Sequence, residues 1–254
     1  MSSWRPTPAT DSTERSFEPS RDSPVPTNQK PAPTVRRARP SGSAETPRLR
    51  GWPHFVGSVL AIPAGAALVV RSLDTPATAQ VAIYSVGMLL LFVTSASYHL
   101  VPMPARVRRL MRRADHAMIF VFIAACYTPW CVLVVHGTLA EVVLIVAWAG
   151  AGVGFVGKLA GFNRLRPVTG TLYIVLGWIG VVTLPDAFSV LSPAELGLMW
   201  SFALLYTAGA VVLLKRWPDP APETFGYHEV WHSMVVAAAA CYWLVLWGLL
   251  GGIG

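Results

Sequence analysis

The chain has 254 residues, of which 54% are hydrophobic and only 13% charged, whereas soluble domains carry roughly a quarter charged residues; an ordinary water-soluble globule is excluded. The formal charge of +7 does not point to nucleic acid, because the basic residues lie in an N-terminal tail and in short connections between apolar runs, where they can meet anionic lipid headgroups. Cys126, Cys131 and Cys241 fall inside apolar runs without the spacing of a disulfide framework or a zinc finger, so they read as small apolar packers.

Residues 1–50 hold nine prolines, nine Lys or Arg, many Ser and Thr, and few aliphatic residues. Such a segment buries too little apolar area to offset its ordering entropy, which predicts a disordered cytoplasmic tail ahead of a membrane domain over 51–254. No cleavable signal peptide is expected. A bilayer core takes about 20 mostly apolar residues per helix. The apolar runs predict seven spans, at Phe55–Val70, Ala79–His99, Asp115–Val135, Leu139–Leu159, Val168–Leu184, Leu196–Leu214 and Tyr227–Leu250.

The second span is followed by Arg106, Arg108, Arg109, Arg112 and Arg113, the fourth by Arg164 and Arg166, and the sixth by Lys215 and Arg216. Only Arg71 falls on the opposite side, so 19 of the 20 basic residues share one face. The positive-inside rule then puts the N-terminus in the cytoplasm and the C-terminus outside. Gly150, Gly154, Gly157 and Gly161 recur in the fourth span as helix-packing positions. Pro129 predicts a kink in the third.

Ionisable residues within spans are costly, and so are candidates for function. His99 ends an inward-running span, Asp115 begins an outward-running one, and His228 and His232 begin another; topology places all four at one depth. His228 and His232, four apart, share a helix face. With His99 they form a three-imidazole set suited to zinc, which leaves a fourth position for water. Asp115 would contact that water or orient a ligand, with a helix N-cap or an ion pair to Arg112 or Arg113 as its plainer role. Ser95, one turn before His99, can point into the same cavity. His54 and His136 read as interfacial polar residues. Residues 228–232 also spell His-Glu-Val-Trp-His, a match to the HExxH zinc-protease pattern with Glu229 as base. No Asp-Gly pair is present to supply the further ligand that intramembrane proteases of that kind use.

Ser95-Ala-Ser-Tyr-His99, Asp115-His116, Tyr127-Thr-Pro129, Tyr173 to Trp178, and Phe225-Gly-Tyr-His228-Glu-Val-Trp-His232 together resemble the hemolysin III family, bacterial relatives of the adiponectin and progestin receptors. The resemblance covers about residues 50–254. It implies a seven-transmembrane fold, zinc on His99, His228 and His232, a contact from Asp115 to zinc-bound water, and Ser95 beside it. The pattern departs at the first span, where Gly51-Trp-Pro-His54 replaces the family's fuller acidic, asparagine and Thr-His set. The expectation is a multi-pass protein of the bacterial plasma membrane, in contact with membrane lipids and acting as a ceramidase-like hydrolase of lipid amides or esters. Its alternatives are a sensor, channel, transporter or cytolytic protein with structural zinc, and the intramembrane protease.

Overall fold

The computed structural model describes residues 46–161 and 166–252, with the side chains of 166–170 left aside. Residues 1–45, most of the predicted tail, and Arg164 lie outside the described residues. Seven helical segments are long and apolar enough to cross a membrane, and no strand occurs among the described residues. In hydrocarbon every backbone N–H and C=O must find a partner within the protein, and a helix achieves this within one segment.

The helices are α1 (Trp52–Arg71), α2 (Thr78–Leu100), α3 (Ala105–Leu133), α4 (Gly137–Ala160), α5 (Arg166–Trp178), α6 (Leu184–Val190), α7 (Pro193–Lys215) and α8 (Tyr227–Gly251). Consecutive hairpins α1–α2, α2–α3, α3–α4 and α7–α8 pack along their lengths, and α1 also packs on α8. Near its start α1 meets the start of α8, where His54 stacks on His232. At its other end Arg71 donates from Nε to the Trp247 carbonyl at 3.1 Å and lies over the Trp247 ring. The two helices therefore run parallel, as first and seventh spans must. The start of α1, the start of α8 and the end of α2 come to share one end of the bundle. The core between them is aromatic and aliphatic: Tyr84, Phe122 and Tyr242 are fully enclosed.

Two elements differ from the predicted spans. α3 begins at Ala105, ten residues before Asp115, because an arginine-rich stretch can continue a helix past the apolar segment. Asp115 is therefore not a helix N-cap. The helix also runs through Pro129 to Leu133 without a break in its assignment. The fifth span is a composite. α5 gives way to a 3-10 turn at Ile179–Thr183 before α6, and the apolar stretch reaches Val190. The backbone groups freed there are met by α3. Tyr127 donates to the Leu176 carbonyl at 3.0 Å and accepts from the Gly180 amide at 2.8 Å, while Trp130 donates to the Thr183 hydroxyl at 3.0 Å, which in turn donates to the Gly180 carbonyl at 2.7 Å. Irregular backbone at membrane depth is tolerated where protein side chains satisfy it in this way.

Of the four glycines noted in the fourth span, Gly154 has the clearest packing role. A Cβ there would lie 2.5 Å from the Phe120 ring of α3. Gly161, at φ +73°, closes α4 in the left-handed conformation, a region that favours glycine. α7 is capped by Ser192 and Glu195, each side chain bonded to the other's backbone amide. Apart from Gly209, its described residues leave substantial surface facing outward.

Candidate metal centre

His99 is the penultimate residue of α2, and His228 is the second residue of α8, one turn before His232. Because α2 ends where α8 begins, these three imidazoles converge. One ring nitrogen from each lies within 4.8 Å of the others. Nε2 of His228 and Nε2 of His99 are 3.3 Å apart. Two nitrogens bound tetrahedrally to one ion at about 2.05 Å would be separated by about 3.3 Å, so this pair already stands at ligand spacing. The rings of His228 and His232 are each inclined to that of His99, at 71° and 70°. Such inclined planes can meet at a common point. His232 is buried, and its Nδ1 has no hydrogen-bond partner. A donor set of three imidazoles that converge this closely from two helices fits a divalent metal ion.

Ser95 is buried at 1% exposure, and its hydroxyl has no well-formed hydrogen bond. It sits beside the carboxyl of Asp115, reached from the second turn-pair of α3. Asp115 is not a member of the imidazole cluster. Its other neighbour is His116, at 3.6 Å, whose Nδ1 is held against the Arg112 carbonyl at 2.7 Å. No ion pair joins Asp115 to Arg112 or Arg113 among the described residues.

Glu229 lies between the two α8 histidines in sequence but faces elsewhere. Its buried carboxylate pairs with Arg50 Nε at 2.5 Å and accepts the Gly226 amide at 2.8 Å. It caps α8 and holds the segment ahead of α1. A carboxylate so engaged by Arg50 and the Gly226 amide is not placed as the general base of an HExxH protease.

The segment before α1 was not foreseen as part of this region. Arg48 and Leu49 donate backbone amides to the Glu223 and Thr224 carbonyls, both at 3.0 Å. Gly51 adopts φ +86°, and a Cβ on it would fall 2.6 Å from His99 Cβ. His54 corrects the interfacial reading: it is 4% exposed and stacks on His232 at 3.8 Å between ring centroids. One sequence signal was Gly51 followed by Pro53, a close-approach residue and a helix starter just ahead of the imidazole. His136, in contrast, is exposed beside Asp186 at 3.6 Å.

The family described as haemolysin-III related matches residues 43–243. Hemolysin-3 of Bacillus cereus is 30% identical over 190 residues, covering 74% of this chain and 84% of its own length. A hemolysin-3 homolog of Bacillus subtilis is 28% identical over 198 residues, covering 76% and 89%. The human monocyte to macrophage differentiation factor is 26% identical over 172 residues, covering 66% and 69%.

Proposed function

The chain belongs to the haemolysin-III related family, and we propose that this multi-pass membrane protein holds zinc on His99, His228 and His232 and hydrolyses lipid amides or esters. The observation that carries the reading is the 3.3 Å approach of the His99 and His228 Nε2 atoms, with the third imidazole nitrogen within 4.8 Å. Imidazole donors favour zinc, and three of them leave one position open. When bound, zinc supplies Lewis acidity, polarising a carbonyl and making water a better nucleophile.

The remaining work falls to residues of the chain. Asp115, whose carboxyl lies beside Ser95, would accept the proton from the attacking water. The buried Ser95 hydroxyl lies beside the Asp115 carboxyl and orients it. Apolar side chains crowd the outer surfaces of α1, α4 and α7, which suits contact with lipid, the phase in which a substrate with acyl chains would dissolve. Exposed arginines of the first turns of α3, such as Arg106 and Arg109, flank the same end, which supports a cytoplasmic placement in the bacterial plasma membrane.

The test pairs metal analysis with lipid turnover in detergent. Asp115→Asn is expected to keep its zinc and to lose fatty-acid release from ceramide by about 100-fold or more. Wild-type protein with a full complement of zinc and no release would make the ion a structural pin between α2 and α8. Normal zinc in both His99→Ala and His232→Ala would remove the metal centre altogether.

A further inference from the structure

A ligating histidine is ordinarily aimed by a hydrogen bond from its second ring nitrogen to a carboxylate, carbonyl or water. His232 shows no such bond at Nδ1, which is buried and unpartnered. Something else must set the plane of that ring. His54 covers one face of it, with centroids 3.8 Å apart and planes inclined by only 26°. Phe92 of α2 also packs on His54, at 5.2 Å and 50°. Neither nitrogen of His54 has a hydrogen-bond partner, so no polar contact competes with the stack for its orientation. The backbone that carries it is anchored on both sides of the site, by Gly51 against His99 and by Arg50 on Glu229.

His54 is not itself placed as a fourth ligand. A metal ion lies in the plane of each imidazole that binds it, at about 2 Å from the nitrogen. Two rings stacked at 3.8 Å and nearly parallel have planes that meet well beyond that distance. We infer that His54 is a positioning residue of the metal centre, which sets the ring plane of His232 by stacking and so aims its nitrogen at the ion. The inference rests on the three-histidine reading above.

The experiment titrates Co2+ into metal-stripped full-length protein in detergent micelles, and follows both affinity and the visible d–d absorption, which reports coordination geometry. His54→Ala is expected to weaken cobalt binding about 10- to 100-fold, the usual effect of losing the support of a ligand, and to alter the spectrum. His54→Leu fills the volume without a ring plane and should behave as the alanine variant does. His54→Phe keeps a flat ring and should restore the spectrum, with affinity inside the ten-fold step that corresponds to about 1.4 kcal/mol. His54→Ala with wild-type affinity and spectrum overturns the inference, as does a folded His54→Phe no better than His54→Leu. If the alanine variant does not fold, the leucine and phenylalanine variants decide between the same outcomes. Wild-type protein that binds no cobalt overturns the metal centre as well, whereas loss of the His54 effect alone leaves that centre standing.

Discussion

Gly51→Ala offers the most sensitive probe of the metal centre, because it adds one methyl outside the ligand set. The new Cβ would sit 2.6 Å from His99 Cβ. To reach even the edge of ordinary contact at 3.4 Å, the two must separate by about 0.8 Å. The His99 ring is packed against those of His228 and His232, so a displacement of His99 changes the ligand geometry. Metal–ligand distances tolerate about 0.2 Å, and a shift several times larger removes His99 from bonding range or reorients it. The backbone adds its own penalty. At φ +86° a residue with a Cβ is strained by about 1–2 kcal/mol, and the forced contact adds about 1–3 kcal/mol. The expected outcome is a loss of about 2–5 kcal/mol in stability with a zinc affinity lowered at least ten-fold. Thermal unfolding in detergent and competition with a chromogenic chelator measure the two. Wild-type zinc affinity in Gly51→Ala would refute the claim that this segment abuts the ligand helix.

Other substitutions separate structure from chemistry. Glu229→Ala strips Arg50 of its buried partner and α8 of its cap, and should cost about 3 kcal/mol or more in thermal stability; the folded fraction should retain zinc and any lipid hydrolysis, and abolished hydrolysis with zinc intact would return Glu229 to the chemistry. Gly154→Val should lower the melting temperature through collision with the Phe120 ring, at about 1–3 kcal/mol, and unchanged melting would show that α3 and α4 can part there without cost.

Much of the bundle could be read from residue order alone, since seven apolar runs and alternating loop charge are strong signals. The imidazole cluster was legible for a related reason. His228 and His232 share a helix face by spacing, and span parity put His99 at their level. What escaped the reading depends on the path of the chain between helices. Nothing in a hydropathy pattern says that α3 starts ten residues before its apolar part, because arginines are good helix formers as well as polar ones. The 3-10 interruption of the fifth span was hidden for the opposite reason: Ile179–Thr183 is as apolar as its neighbours, and the break is stabilised by Tyr127 and Trp130, some 50 residues earlier. His54 was passed over because a single imidazole near a membrane surface carries no periodic partner. Its significance comes only from the packing of α1 on α8. Glu229 matched a five-residue pattern whose meaning turned on an arginine nearly 180 residues away.

The clasp formed by Pro47–Gly51 also determines where the molecule can be cut. Pro47 is buried, and the next two residues are tied to the turn that launches α8. A shortened protein that starts at the first apolar residue would leave the buried Glu229 carboxylate without Arg50, and would expose the start of α8. Trimming, fusion or grafting of this domain should therefore preserve everything from Pro47 onward, even though hydropathy alone would mark those residues as dispensable leader.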